Sequence, residues 1–287
     1  MKKINFIDVV KKHKYISLII VSISILCFVL VFLFRDECEH KEDELVEVDI
    51  VDDKDKKNDD YIKVPNRTEE LKKAFEKNNE TVAWVYIPGT TVDYPVMKGI
   101  DNNYYLRRNE EKEYSFEGCI FGDDDSFFSP FNELSNNVVL YGHNLDDNPN
   151  GKRFAQLIKF LDAEFAKNTP YIFLTTKDVS LVYEIFAVYF TDIKFGYTRV
   201  GLNENMQQKL VDSAKNRSEY IYNVDVTGKD KIITLSTCTY RYGEYGSRNQ
   251  ENTRFVVQGK LLNNTDRLEK KIDIQKNLNP KAPDIDS

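Results

Sequence analysis

The sequence has little of what metal-binding and disulfide-stapled proteins need. Its four cysteines are Cys27, Cys38, Cys119 and Cys238. None sits in a C-x-x-C pair, which argues against a zinc site. Histidine is scarcer still, limited to His13, His40 and His143. The first two lie outside any stretch able to form a core, so His143 is the histidine a folded domain can use. There is no glycine-rich phosphate loop and no basic stripe. The formal net charge of -7 sets a field that disfavours nucleic acid. One acidic trio, Asp123, Asp124 and Asp125, lacks the spacing of a calcium loop and reads as a solvated turn. No metal site is expected.

Long apolar runs are also rare, with one exception. Tyr15 to Phe34 contains no charged residue, and twenty helical residues rise roughly 30 Å, about the thickness of a bilayer core. A cleaved signal peptide would have a shorter apolar run and a small-x-small cleavage site, so a retained transmembrane anchor is expected. Lys2, Lys3, Lys11, Lys12 and Lys14 precede it, and an acidic stretch follows Arg35. The positive-inside rule then keeps residues 1–14 in the cytoplasm and sends the rest outside. Residues 35–65 are charge-rich and read as a solvated stalk.

Aromatics are plentiful, with 17 tyrosines and 18 phenylalanines, a composition suited to strands. The folded domain is expected at 66–262. Asn66-Arg67-Thr68-Glu69 has the pattern of a capping box opening a short helix. Eight apolar runs then read as strands, at 82–87, 91–97, 117–122, 137–142, 171–176, 181–190, 231–238 and 254–262. Helices are expected at 151–168 and 204–216. Strands and helices do not alternate regularly, so a mainly β fold is predicted: a closed or nearly closed barrel with helices in its connections. Residues 263–287 read as a polar, disordered tail.

Three residues stand out chemically. Cys238 ends the run ITLSTC, whose alternation puts Thr234, Ser236 and Cys238 on one face. By itself it reads first as a small buried residue. His143 follows the strand NVVLYG in a turn, where it serves either a cleft or a plain surface loop. Arg254 opens the next strand after Cys238. If those two strands pair as a hairpin, Cys238 and Arg254 sit together at one end. A thiol can attack a carbonyl, an imidazole can protonate a leaving amine, and a fixed guanidinium can stabilise the oxyanion. Both an ion pair and a neutral pair of Cys238 and His143 are compatible with the sequence. Cys119 reads as a buried thiol, although a Cys119–Cys238 disulfide would also fit; Cys38 reads as an idle stalk thiol or an interchain link.

At these residues the chain resembles the sortases, cysteine transpeptidases of Gram-positive surfaces. TLSTC (234–238) is similar to the family's nucleophile strand, YGHN (141–144) to its histidine loop and TRFVVQGKL (253–261) to its arginine strand. The segment at 84–106 resembles class B. The resemblance implies an eight-stranded barrel, no cofactor, and Cys238, His143 and Arg254 as nucleophile, general acid/base and oxyanion stabiliser. Ser236, Tyr240 and Tyr245 are further candidates for substrate contact. It also implies partners: surface proteins with a C-terminal Asn-Pro-x-Thr signal, cleaved after Thr, and a peptidoglycan precursor or other amine as acceptor. The alternatives are a cysteine peptidase that only hydrolyses and a non-catalytic, membrane-tethered binding domain.

Overall fold

The computed structural model describes residues 61–285. The expected membrane span and nearly all of the stalk lie outside the described residues. Among the described residues no helix is long and apolar enough to cross a membrane.

Eight strands close into a barrel. They are β2 (Thr81–Tyr86), β3 (Asp93–Met97), β4 (Ile120–Gly122), β5 (Asn137–Tyr141), β6 (Tyr171–Thr176), β7 (Ser180–Asp192), β9 (Ile232–Cys238) and β10 (Thr253–Leu261). Around the barrel the order is β10-β7-β6-β2-β3-β4-β5-β9. All neighbours are antiparallel except β3 with β4 and β5 with β9. Each barrel strand overlaps one of the eight apolar runs. β-branched and aromatic residues dominate them because such side chains pack well on a pleated surface. Val85, Leu140, Ile185, Leu235, Phe255 and Val257 are fully buried in one core, each contributing roughly 1.5–3 kcal/mol by leaving water.

A buried polar chain crosses three neighbouring strands. Gln258 donates to the Thr234 hydroxyl at 2.8 Å, and Thr234 donates to Asn137 Oδ1 at 2.7 Å. A one-residue slip of any of β5, β9 or β10 would break it and turn core side chains outward. Buried polar groups cost free energy unless paired, so this chain fixes the register on which the site depends.

Helix α1 (Thr68–Lys77) forms where expected, but not through a capping box. The Asn66 side chain accepts from the Thr68 amide at 2.9 Å, and Arg67 reaches Asp93 with a two-pronged ion pair at 2.9 and 2.8 Å. The expected single helix at 151–168 is two pieces: a 3-10 helix, Arg153–Leu161, and α2 (Ala163–Asn168). Asp162 divides them, because its extended backbone and its carboxylate, accepting from the Phe165 amide, start a new helix. Helix α3 (Glu204–Arg217) is as expected, with Asn203 as its cap.

The tail is the clearest departure. Over the described residues 263–285 it is ordered, not disordered, and the domain exceeds 66–262 at both ends. β1 (Tyr61–Ile62), inside the expected stalk, pairs with β11 (Leu268–Glu269). β12 (Ile274–Lys276) pairs with β8 (Tyr220–Tyr222). Further on, the Asn277 and Lys281 amides donate to the carbonyls of Glu219 and Asn216. The cause is physical: Leu268 is buried against Tyr171, Phe173 and Val182, and main-chain hydrogen bonds leave little trace in composition.

Candidate active site

Strand topology assembles the site. β5 and β9 run parallel with Tyr141 opposite Ser236, so both strands end at the same mouth of the barrel. Two residues further along the chain lie His143, in the loop after β5, and Cys238, the last residue of β9. β9 and β10 are antiparallel with Cys238 opposite Arg254, the hairpin arrangement the sequence suggested, and directly opposed residues share a face. Three adjacent strands thus deliver thiol, imidazole and guanidinium to one place.

The imidazole and the guanidinium are each held by backbone carbonyls. A carbonyl oxygen only accepts, so His143 Nε2 carries a proton and donates it to Leu106 O at 2.6 Å. In the neutral ring Nδ1 is then the basic nitrogen. Burial pushes the imidazole pKa below its usual value; the Leu106 carbonyl opposes this, and the charges of Arg107 and Arg254 add to it. The neutral form of His143 is therefore favoured. Arg254 donates through Nη1 to the carbonyls of Glu251 and Thr253 at 2.7 and 2.8 Å. Those contacts fix a group with five N–H donors beside the thiol. Cys238 is partly exposed and, like Cys119, unbridged; the Cys119–Cys238 disulfide does not form. Cys119 is fully buried with Met97, Tyr105 and Phe121, and burial raises its thiol pKa far above the ordinary range.

Two clefts meet at these residues. One, of about 150 Å³, is lined by Leu106, Phe121, Tyr141 and Ser236 in addition to the three. The Ser236 hydroxyl lies 2.9 Å from Tyr197 OH. The Asp123 carboxylate holds two residues that line this cleft, accepting from Tyr141 OH at 2.7 Å and Asn102 at 3.0 Å. The carboxylates of Asp123, Asp124 and Asp125 lie within 4.8 Å of one another, and Asp123 is committed to those structural bonds. The other cleft, of about 370 Å³, is lined by Tyr240, Tyr245 and Glu251 and shares Leu106, His143, Cys238 and Arg254 with the first. Tyr240 and Tyr245 stack with ring centroids 6.5 Å apart.

Several site residues escaped the sequence reading. Gly142 is one: a Cβ there would meet the Phe154 ring at 2.8 Å. Gly118 is another, with φ at +55°, where a Cβ would meet Leu106 O at 2.8 Å and the His143 ring at 3.1 Å. Only glycine combines that conformation with that approach. Asn144 and Asp147 are also new. Asn144 is buried and donates to the Cys238 carbonyl at 3.0 Å and to the Asp147 carboxylate. The Asn-x-x-Asp spacing after His143 was the available signal, since both residue types bond local backbone in turns.

The comparisons agree with this geometry. A family profile described as the sortase domain matches residues 85–262. Sortase B of Listeria monocytogenes is 37% identical over 196 residues, covering 68% of this chain and 74% of the relative. Sortase B of Staphylococcus aureus is 33% identical over 186 residues, covering 64% and 71%. Among solved structures, a Staphylococcus aureus sortase B–substrate complex matches with a TM-score of 0.59 at 31% identity, covering 68% of this chain and 85% of that one. A Clostridium perfringens sortase B matches with a TM-score of 0.58 at 30% identity, covering 67% and 99%. With the barrel and its three converging strands, these likenesses make the chain a member of the sortases, the family of cysteine transpeptidases, and within it of class B.

Proposed function

We propose that this chain cleaves an Asn-Pro-x-Thr sorting signal after Thr and transfers the protein to an amine of the cell wall. It does so outside the cell, held to the plasma membrane by one span at residues 15–34, with the N-terminus in the cytoplasm. The observation that carries the reading is the convergence of His143, Cys238 and Arg254 where two clefts meet. The domain divisions 1–14, 15–34 and 35 to about 60 belong to the same proposal. Two likenesses support peptide donor and amine acceptor: one related Staphylococcus aureus structure is described as a substrate complex, another sortase B as complexed with triglycine.

The chemistry follows from the geometry. The Cys238 sulfur attacks the Thr carbonyl carbon, and a C–S bond forms. Negative charge collects on the carbonyl oxygen, where the Arg254 guanidinium stabilises it. The thiol proton passes to His143 Nδ1 and on to the departing amine as the C–N bond breaks. The thioester that remains is attacked by a second amine. A new C–N bond forms, the C–S bond breaks, and one amine proton returns through Nδ1 to the sulfur. One fixed imidazole serves both halves because the leaving and entering groups are both amines.

The test is product analysis. The purified chain is incubated with Asn-Pro-x-Thr and Leu-Pro-x-Thr peptides, with and without triglycine. The expected result is cleavage after Thr in the Asn-Pro-x-Thr peptide and an amide joined to triglycine. Acid as the sole product, whatever amine is added, would replace this reading with a hydrolytic peptidase. Neither product from any peptide would point to a binding domain.

A further inference from the structure

The two clefts differ in what builds them. The smaller is walled by barrel strands, through Phe121, Tyr141 and Ser236. In the larger, one wall is the barrel mouth and the other is the connection from β9 to β10, through Tyr240, Tyr245 and Gly246. A connection of this length has no sheet to hold it. Tyr242 packs on Phe190 and a short helix, Arg248–Asn252, closes the connection's far end, while its start is tied to the histidine loop by a side-chain junction.

That junction is Asn144 with Asp147. The Asn144 amide nitrogen donates to the Cys238 carbonyl at 3.0 Å and to Asp147 Oδ1. Its oxygen accepts from the Asp147 amide at 2.9 Å. The second Asp147 oxygen accepts from the Thr239 hydroxyl at 3.1 Å and the Tyr240 amide at 2.8 Å. Both Asp147 oxygens are thus used, and every donor comes from the histidine loop or from the two residues after the nucleophile. Asn144 and Thr239 are buried, where hydrogen bonds to a charged partner count most. Asp147 holds a left-handed backbone, φ +51°, which Asp tolerates when its side chain bonds locally. The pair therefore locks the His143 loop to the Cys238 strand end and carries Tyr240, and with it the stacked Tyr245, into place over the larger cleft.

We infer that Asn144 and Asp147 are positioning residues that hold the Tyr240–Tyr245 wall over the Cys238 thioester and so set its partition between an entering amine and water. The inference rests on the transpeptidase reading above. Either nucleophile gives a balanced step: amine forms C–N or water forms C–O, the C–S bond breaks, and one proton passes through His143 to the sulfur. What the wall changes is which nucleophile stands near the carbonyl when the thioester is ready, a matter of proximity worth orders of magnitude.

The test measures acid and amide products at one fixed concentration of triglycine, in wild type, Asp147→Ala, Asn144→Ala, Asp147→Asn and the swap Asn144→Asp with Asp147→Asn. Thr239→Val, which removes only one hydroxyl donor, joins the series in case the larger changes prevent folding. The ratio of products is a property of each acyl-enzyme, so loss of folded protein does not move it. The acid-to-amide ratio is expected to rise roughly tenfold in the two alanine variants, and roughly threefold in Thr239→Val. Asp147→Asn keeps an acceptor for Tyr240 but sets two amides against each other, so it falls between. The swap restores one donor–acceptor match and moves the ratio part of the way back. Wild-type ratios in every variant would overturn the inference and leave the transpeptidase intact. A wild-type chain that forms no amide at all would overturn both.

Discussion

Cys119 and Cys238 have the same side chain and opposite fates. Cys119 is fully buried. It packs among Met97, Tyr105 and Phe121, and burial opposes its ionisation. Cys238 lies at the last residue of β9, partly exposed where two clefts meet, opposite Arg254 on the neighbouring strand. The residue type did not decide which one reacts. Strand position and neighbours did: a thiol at a strand end is presented, and one against a barrel wall is filler.

The contrast can be broken most severely by removing the thiols in turn. Cys238→Ala should lower kcat/KM for the peptide by at least about 10⁴-fold, since no covalent intermediate can form. Cys119→Ala should cost about 1 kcal/mol of stability through the small cavity it leaves. Its activity per folded molecule should stay at the wild-type level, measured by peptide cleavage beside a denaturant midpoint. A large activity loss in folded Cys119→Ala would erase the distinction.

A smaller effect sharpens it by moving the partner of Cys238. Gly118→Ala forces a side chain against Leu106 O and the His143 ring at a positive φ. The histidine loses its anchor, and kcat should fall by roughly 10- to 100-fold with a lesser change in KM. An unchanged kcat would mean that the Leu106 contact does not position the imidazole.

The smallest expected effect is electrostatic. Cleavage needs His143 unprotonated, so activity is lost as pH falls through its pKa. Because burial, assisted by Arg107 and Arg254, lowers that pKa, the acid limb of kcat/KM should lie below the ordinary histidine value of about 6.5. Arg107→Gln removes a secondary contribution, and its acid limb should move modestly upward. Movement in the opposite direction would contradict the assignment.

The barrel was legible because each wall strand carries its own apolar, β-branched or aromatic run, and closure hides that run from water. The pairing of Cys238 with Arg254 was legible from connectivity. The placing of His143 beside them was not readable from the residues themselves. It requires β5 and β9 to be parallel neighbours, a long-range fact that only the family resemblance supplied. The broken helix at Asp162 was missed because an apolar period continues across the capping residue. The ordered tail was missed because β11 and β12 are held largely by backbone bonds and by one buried leucine, Leu268. The Asn144–Asp147 junction is likewise invisible in composition: two polar loop residues read as solvent-facing until their partners are known.

The most direct test of the account is to trap the acyl-enzyme and locate the acyl group. The chain would be mixed with an Asn-Pro-x-Thr peptide in the absence of amine, quenched in acid, digested at low pH and mapped by mass. The account predicts a thioester on Cys238 that ends at the Thr carbonyl, and an unmodified Cys119. An acyl group on Cys119, or peptide cleavage with no acyl group on Cys238 at any time, would contradict it.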